Sequence, residues 1–256
     1  MSTTNQTLAA KLQAAAGRLT AGTLARDGLV EWMRSEGVSH PALMKQLERL
    51  DEQLDRKQLV EALTAMAVGI EAATPPAPQL VLTDSLDEVD ARDSSVAAHE
   101  IITSAQKTLS ISGYSWGHWV SSSSPRHPIF EFAWKHMRNN PALQTRLILH
   151  LGHSDNGQKT ESDMRQDLTK WVWPWKERPE VYFDPPRDRE TPGMMHAKVI
   201  VADRTNIIVT SANPTESAYT KSVEAGILLK QSNVADHMER HFDDLIDRGL
   251  LVRLGW

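Results

Sequence analysis

The sequence contains no cysteine, so it can form neither disulfide bonds nor metal sites built from thiolates. It also lacks any run of about 18 consecutive apolar residues, so a transmembrane helix is not expected. The start, MSTTNQTLAAKLQAAAGRL, has neither the basic segment nor the compact apolar segment of a signal peptide. These absences favour a soluble, cytoplasmic protein.

Positive net charge is missing as well, because the formal net charge of the 256 residues is -5 at pH 7. This argues against a protein that coats nucleic acid non-specifically, although a groove with a local positive field remains compatible with it. Apolar residues make up 40% of the chain and charged residues 24%, as in ordinary globular proteins. A chain of this length can form one large domain or two smaller ones.

Residues 1–73 show helical patterns only. Leu8, Leu12, Ala15 and Leu19 recur near helical spacing in the first of these patterns. The segment 74–79, TPPAPQ, cannot continue a helix because of its prolines. The sequence therefore predicts a small all-helical N-terminal domain (1–73), a proline-rich linker (74–79) and a second domain (80–256).

The second domain alternates apolar strand patterns with helical patterns. Several of the strand patterns are apolar throughout, which is typical of an α/β sheet covered by helices on both faces. The predicted strands are TLSISGYSW (108–116), QTRLILHLG (144–152), EVYFD (180–184), HAKVIVAD, IIVTSAN and VEAGILLK. An amphipathic helix from Asn233 to Leu250 is predicted to end the domain.

Six polar residues accompany the last three apolar runs. Residues two apart in a strand point the same way, so His196 and Lys198 are expected to share a face, as are Ser211 and Asn213. An unpaired carboxylate within an apolar strand would be costly. We therefore expect the polar side chains of the three strands to face one another, whereas Asp203 lies beyond its strand, at the turn to IIVTSAN. The full set is His196, Lys198, Asp203, Ser211, Asn213 and Glu224.

The residue types suggest phosphoryl chemistry. An imidazole can act as a nucleophile or as an acid, a lysine supplies fixed positive charge, and an asparagine amide adds neutral donors. A glutamate can orient an imidazole. Metal binding is the weaker interpretation, because no second histidine has ligand spacing and a lysine would repel the cation. For His196 and Lys198 taken alone, a half-exposed strand is the simpler explanation.

These residues match a known signature. HAKVIVAD (196–203) resembles the HxK(x)4D motif of the phospholipase D superfamily. TSAN (210–213) is similar to the GSxN that follows it, with Thr210 in place of the usual glycine, and Glu224 stands where that family usually has an acidic residue. The resemblance covers about residues 95–250. It implies a phospholipase D-like mixed sheet flanked by helices.

The resemblance also implies a phosphodiesterase that works without a metal or another cofactor. His196 would attack phosphorus to form a phosphohistidine, and a second histidine would protonate the leaving oxygen. Lys198 and Asn213 would hold the phosphoryl oxygens.

The three remaining motif residues have supporting roles in such proteins. Glu224 would orient an imidazole, and Ser211 would support that network. Asp203 would anchor the turn rather than take part in the chemistry.

The second histidine is not found in this chain, because only His196 is followed two positions later by a lysine. The nearest imitation, His136-Met137-Arg138, has Leu143 where the aspartate should stand. We therefore predict a two-fold homodimer in which two copies of the motif complete one site. The small single-motif nucleases of the superfamily are built in this way.

The layout of a helical N-terminal third, a proline-containing linker and one motif is most similar to the DrmC subfamily. Its members are the phospholipase D-like proteins of the DISARM bacterial anti-phage system. This resemblance implies a nucleic-acid substrate and helicase and methyltransferase partners, with no membrane partner. Two alternatives remain open: a phospholipid hydrolase or transphosphatidylase, and a catalytically silent subunit that binds nucleic acid or protein.

Several aromatic and basic residues outside the motif can serve either in binding a substrate or in the fold itself. The tryptophans of KWVWPWKER (170–178) can stack on single-stranded nucleic acid or pack within the fold, and packing is favoured. Trp116 and Trp119 can line the rim of the site or pack. Arg187 and Arg189 can contact a phosphate or belong to a solvated loop, and the loop is favoured.

Overall fold

The computed structural model of the protein describes residues 2–83, 90–116, 128–154, 157–186, 194–215, 218–219 and 221–256. The chain divides into two compact units, Met1–Ala77 and Pro78–Trp256. Trp119, Arg187 and Arg189 lie outside the described residues, so their expected roles stay predictions. Across the described ranges, no helix combines the length and the apolar character that a membrane crossing requires.

The first unit is helical, as the sequence predicts. Asp55 begins its last helix with a capping box, in which the Asp55 carboxylate accepts from the backbone N–H of Gln58 at 2.8 Å. Leucines at helical spacing close the core, and Leu12, Leu47 and Leu59 are fully buried. The helices are α1 (Ser2–Thr20), α2 (Leu29–Ser35), α3 (Pro41–Gln53) and α4 (Arg56–Ala73), with a 3-10 turn at Arg26–Gly28.

The second unit is built on a mixed sheet of nine strands, which confirms the predicted α/β fold class. The strands of this sheet are β1 (Gln79–Leu82), β2 (Arg92–Asp93), β3 (Thr108–Gly113), β4 (Gln144–His150), β7 (Glu180–Asp184), β8 (Val199–Ala202), β9 (Asn206–Thr210), β10 (Ala225–Leu229) and β11 (Val252–Arg253). Two further strands, β5 (His153–Ser154) and β6 (Gly157–Gln158), form a separate hairpin. The α-helices of the described residues are α5 (Ser94–Ser104), α6 (Pro128–Asn139), α7 (Glu161–Asp167) and α8 (Asn233–Asp247), and a π-helical segment, Leu168–Val172, follows α7.

Strand directions decide which residues meet at each edge of the sheet. The order is β11-β7-β4-β3-β8-β9-β10-β1-β2. β3, β4 and β7 run parallel to one another, whereas β8 is antiparallel to β3 and β9 is antiparallel to both β8 and β10. The carboxyl ends of β3, β4, β7 and β9 therefore lie at the same edge as the amino ends of β8 and β10.

Helices cover both faces of the sheet. On one face, α5 packs on β8 and β9 and α6 packs on β4, through buried residues such as Ile102, Phe130 and Leu147. On the other face, α8 packs on β8 and β9 through Phe242 and Ala235. This layering fixes the strands on both sides, so the residues that follow the strand ends start from rigid positions.

Several parts of the sheet differ from the sequence-based expectation. The two-residue edge strands β2 and β11 were not predicted. The sequence analysis did not predict β1, although Gln79–Leu82 pairs with β10 and carries the sheet into the segment just after the prolines. The predicted strand HAKVIVAD is also shorter than expected, because β8 begins at Val199. The hydroxyl of Ser112 explains this limit, since it donates to the carbonyl of Ala197 at 3.0 Å and accepts from the N–H of Val199 at 3.0 Å. The Ser112 side chain thus replaces the next rung of the β3–β8 ladder.

Candidate active site

Five of the six predicted site residues lie directly beyond strand ends, at one edge of the sheet. His196 and Lys198 precede β8, Ser211 and Asn213 follow β9, and Glu224 precedes β10. The expectation that these five residues lie within the strands HAKVIVAD, IIVTSAN and VEAGILLK was therefore wrong, because β8 begins at Val199, β9 ends at Thr210 and β10 begins at Ala225. The five residues nevertheless meet at one edge. Because β8, β9 and β10 are successive antiparallel strands, the start of β8, the end of β9 and the start of β10 lie side by side.

His196 and Lys198 contact each other directly. The Lys198 ammonium lies 2.9 Å from His196 Nδ1 and 3.3 Å from Nε2, and it also donates to the His196 carbonyl at 2.9 Å. An ammonium has no lone pair, so the ring nitrogen that accepts from it carries no proton. His196 is exposed and Lys198 is half-buried, so a substrate can reach the imidazole from solvent.

Tyr114, just after β3, connects this pair to Asn213. Its ring centroid lies 4.6 Å from that of His196, and the Lys198 ammonium lies 5.7 Å from it. Asn213 Oδ1 accepts from the backbone N–H groups of Tyr114 at 3.1 Å and Ser115 at 2.9 Å. These two bonds orient the amide and leave its NH2 group as the donor for an incoming oxygen.

Ser211 and Glu224 form the second contact at this edge. The Ser211 hydroxyl donates to Glu224 Oε2 and accepts from the backbone N–H of Ala225 at 3.1 Å. We expected Glu224 to orient an imidazole of the site. Among the described residues its hydrogen bond comes from Ser211, and none joins Glu224 to His196.

The electrostatics of the edge centre on Lys198 and Glu224. Burial lowers the pKa of the Lys198 ammonium below its ordinary value, and the nearby Glu224 carboxylate opposes this by raising it. Burial also raises the pKa of Tyr219, and the Glu224 carboxylate adds to that effect. A cation and an anion thus lie near each other at an edge that remains open to solvent.

Asp203 does not join the other five residues. It follows β8, at the opposite end of that strand, about 16 Å along the chain from Lys198 at 3.3 Å per residue. Its carboxylate accepts from the backbone N–H groups of Gln106, Lys107 and Thr108 at distances of 2.6–3.1 Å. Asp203 therefore fixes the start of β3 against the β8–β9 turn, the anchoring role that the resemblance implies.

Asp184 and His150 belong to the same edge as the site, and sequence reasoning assigned them no role. They are the last residues of β7 and β4, and both are buried, at 5% and 3% exposure. Asp184 Oδ2 lies 2.7 Å from His150 Nδ1 and accepts from the backbone N–H of Met195 at 2.8 Å. The available signal was their position at the ends of adjacent predicted strands, where α/β sheets present functional groups.

Most of the tryptophans pack within the fold, as favoured from the sequence. Trp173 is fully buried, and Trp175 stacks on Trp134 with ring centroids 4.6 Å apart. Trp116 is also buried, and its indole N–H donates to the His150 carbonyl at 2.6 Å. Trp171 and Trp256 are exposed, at 38% and 39%, and the Lys170 ammonium lies 4.4 Å from the Trp171 ring.

The rim of the edge is mixed in character. Met194 is 56% exposed beside His196, and Val223 is 92% exposed beside Glu224. Lys221 is an exposed cation two residues before Val223. No set of three or more histidine, cysteine, aspartate or glutamate side chains suited to hold a metal ion occurs in the part of the chain that the structure describes.

Comparison with known families agrees with this architecture. The sequence profile of the family described as "Cardiolipin synthase, PLD-like domain" matches residues 99–246, which is more than half of the chain. The chain belongs to this PLD-like family. The matched residues include the whole sheet edge described above, from Tyr114 to Glu224. No curated protein matches the PLD-like chain.

Solved structures similar to this PLD-like protein include two bacterial chains that are covered almost completely. Nuc, a phospholipase D family member from Salmonella typhimurium, is 15% identical, with 69% of this chain and 98% of that chain covered and a TM-score of 0.44. NucT from Helicobacter pylori is 16% identical, with 70% and 100% covered and a TM-score of 0.47. The phosphatidylserine synthase from Haemophilus influenzae Rd KW20 is 12% identical, with 85% and 55% covered and a TM-score of 0.47.

Proposed function

We propose that the protein is a metal-independent phosphodiesterase that cleaves nucleic acid through a phosphohistidine. The observation that carries this proposal is the contact between the His196 imidazole and the Lys198 ammonium at an open sheet edge. A neutral imidazole at such a place can attack phosphorus, and a fixed cation beside it stabilises the charge that develops on the phosphoryl oxygens. The Asn213 amide lies on the neighbouring loop and adds a neutral donor.

The proposal gives each site residue a role. His196 forms the bond to phosphorus while the bond to the leaving oxygen breaks, and that oxygen takes a proton from a second histidine. Water then cleaves the phosphohistidine and regenerates the imidazole. The Glu224 carboxylate, held by Ser211, balances the charge of Lys198 and is available to an imidazole of a second chain.

The second histidine is proposed to come from His196 of a second copy of this chain, in a two-fold homodimer. No other histidine of the sequence carries the HxK pattern. His196 is exposed, so a symmetric partner can approach it.

Nucleic acid is the substrate class that we propose first. The single HxK motif supports it, since the similar single-motif members of the superfamily are nucleases. Cation–aromatic pairs on the surface, such as Lys170 with Trp171 and Arg178 with Trp256, also suit single strands with stacked bases. The helical unit before the sheet unit supports an assignment to bacterial anti-phage defence, beside helicase and methyltransferase partners in the cytoplasm.

A phospholipid substrate is the second candidate, because Met194 and Val223 place exposed apolar side chains on the rim of the site. A lipid hydrolase or transphosphatidylase would use such a rim to contact acyl chains. This candidate predicts activity on anionic phospholipid vesicles rather than on DNA or RNA.

The test is a cleavage assay in EDTA on single- and double-stranded DNA and RNA and on phospholipid vesicles. His196→Ala and His196→Gln remove the nucleophile, whereas His136→Gln serves as a matched control on α6. We expect wild type and His136→Gln to cut nucleic acid and both His196 variants to be inactive. Cleavage of vesicles alone would favour the lipid candidate. Inactive wild type, together with unchanged phage protection by His196→Ala in cells, would instead indicate a catalytically silent subunit.

A further inference from the structure

Three residues outside the motif form a stack beneath the candidate nucleophile. Tyr114 lies between two imidazoles, with its ring centroid 4.7 Å from that of His150 and 4.6 Å from that of His196. The planes of Tyr114 and His150 are nearly parallel, at 12°. Below them, the His150 ring meets the Asp184 carboxylate at 2.7 Å. The stack therefore runs from the interior of the sheet to the exposed His196.

The Asp184 carboxylate connects three segments of the site edge. It accepts from His150 Nδ1 at the end of β4, from the backbone N–H of Leu151 at 2.9 Å and from the backbone N–H of Met195 at 2.8 Å. Met195 directly precedes His196 in the chain. A buried carboxylate is costly unless such bonds compensate it. The Asp184 carboxylate is thereby held to the backbone segment that carries His196.

Tyr114 couples the same stack to the other site residues. The Lys198 ammonium lies 5.7 Å from the centroid of its ring, within the range in which a cation is attracted to an aromatic face. The backbone N–H of Tyr114 donates to Asn213 Oδ1 at 3.1 Å. One residue therefore contacts the proposed nucleophile, the proposed cation and the proposed neutral donor.

We infer that Tyr114, His150 and Asp184 are positioning residues for phosphoryl transfer by His196. This inference rests on the proposed function of the same site. His196 is exposed, and the ring contact that the described residues give its imidazole comes from Tyr114, on the inner side. The Tyr114 ring supplies that support, His150 holds the ring from below, and Asp184 fixes both His150 and the backbone at Met195. The phenol hydroxyl takes no part in this support.

The first experiment measures the position of the His196 ring without reference to activity. In proton NMR, an aromatic ring at this distance displaces the resonances of a neighbouring imidazole. His196→Gln identifies the His196 resonance, and Tyr114→Phe and Tyr114→Leu are compared with wild type. We expect the resonance to stay in place in Tyr114→Phe and to move in Tyr114→Leu. An unmoved resonance in Tyr114→Leu would overturn the inference, whether or not the protein proves to be a nuclease.

The second experiment measures kcat and KM on the substrate that wild type cleaves. Tyr114→Phe keeps the ring and should retain activity within about 3-fold, whereas Tyr114→Leu should lower kcat by about 100-fold with little change in KM. Tyr182→Leu, which removes a half-buried tyrosine from β7, is the matched control and should keep kcat. Equal losses in the Tyr114→Leu and Tyr182→Leu variants would contradict a positioning role.

A variant of the carboxylate tests the lower part of the stack. Asp184→Asn keeps the shape and one accepting oxygen but loses the charge and the second acceptor. We expect a moved His196 resonance and a kcat loss similar to that of Tyr114→Leu. If this variant fails to fold, the Tyr114 pair still decides the inference. Inactive wild type combined with a moved resonance would reject the proposed function and keep the positional role of the stack.

Discussion

Lys198 is subject to two opposing electrostatic influences. Partial burial disfavours its charged form, and the Glu224 carboxylate favours it. Burial is the larger influence, so the pKa of Lys198 lies below its ordinary value of about 10.4. The Glu224 carboxylate therefore favours the charged form of Lys198 that the proposed chemistry uses.

This influence gives a prediction for Glu224→Gln. Removing the carboxylate removes the influence that raises the pKa of Lys198, so the ammonium should lose its proton at a lower pH than in wild type. A carbon-13 NMR titration of labelled lysine, with Lys198→Arg to identify the resonance, measures both midpoints. A wild-type midpoint at or above the ordinary lysine value would contradict this account, as would an upward shift in Glu224→Gln.

Asp203 shows how one motif residue acts on stability rather than on chemistry. Burial raises the pKa of its carboxyl, but the hydrogen bonds from Thr108, Lys107 and Gln106 outweigh this and hold the pKa below its ordinary value. The stabilisation is therefore fully present above the unfolded value of about 3.9 and is lost as pH falls through the lower folded value. Asp203 also has a positive φ of 54°, which asparagine tolerates better than alanine does.

Two substitutions of Asp203 should separate these effects. At pH 7, Asp203→Asn should lower the free energy of unfolding of the sheet unit by about 1–2 kcal/mol, because the three N–H groups lose a charged acceptor. Asp203→Ala should cost about 1 kcal/mol more because of backbone strain. The measurement is urea unfolding by tryptophan fluorescence in a Trp32→Phe background, since Trp32 is the only tryptophan before residue 78. The gap between wild type and Asp203→Asn should narrow as pH falls below about 4, and a constant gap would contradict the role of charge.

Sequence reasoning found the motif residues of the site but not the residues that support them. His196, Lys198 and Asn213 were predicted because they form a pattern along the chain. Asp184 and His150 were given no role, because their contact joins two strands that are far apart in sequence. A contact of this kind becomes visible only after the strand order is known.

At the scale of elements, the edge of the sheet depends on a close approach between β3 and the loop after β9. A Cβ atom added to Gly113 would lie 2.3 Å from Cδ of Pro214, well inside contact distance. Pro214 follows Asn213, whose amide is held by the residues just after Gly113. Glycine at this position therefore permits the contact that orients Asn213.

Gly113→Ala should displace Pro214 and with it the Asn213 amide. We expect a fall in kcat of about 10-fold or more, together with a stability cost of about 1–3 kcal/mol from overpacking. Gly69→Ala is the matched control, because nothing lies within 4 Å of a Cβ added there in α4. It should stabilise its helix by up to about 1 kcal/mol and leave kcat unchanged. Normal kcat in Gly113→Ala would show that this approach does not position Asn213.

The strands could be predicted where they form long, continuous apolar runs. Short strands with few apolar residues could not be predicted. β3, β4 and β7 were found because their apolar runs resemble buried strands. β1 was missed because four residues next to a proline-rich segment carry little pattern of their own. His196 and Lys198 were placed inside a strand because alternation alone does not show where the Ser112 hydroxyl interrupts the β3–β8 ladder. At the start of β10, the Ser211 hydroxyl accepts from the N–H of Ala225, and this contact is not visible in the sequence either.

At the scale of the whole molecule, one chain supplies one HxK histidine while the proposed reaction uses two. Wild type and His196→Ala chains, unfolded and refolded together in equal amounts, should form about one quarter wild-type homodimers if pairing is random. Activity should then fall to about one quarter of that of the same total amount of wild type. Activity near one half would indicate that each chain works alone.

The oligomeric state and a matched mixture complete this experiment. Sedimentation at micromolar concentration should give the mass of two chains, and a strict monomer would remove the proposed source of the second histidine. A mixture of wild type with Gly69→Ala should keep full activity, because that substitution lies outside the sheet unit.

The spacing within the HxK(x)4D motif corresponds to the length of one strand. The four residues between Lys198 and Asp203 are Val199–Ala202, which are the whole of β8. The specified ends of the HxK(x)4D pattern thus lie on opposite margins of the sheet, and the four unspecified residues between them are the strand that crosses it. An inserted or deleted residue there would turn one end to the wrong face, since side chains alternate along a strand. The four positions therefore tolerate changes of apolar side chain but not of number.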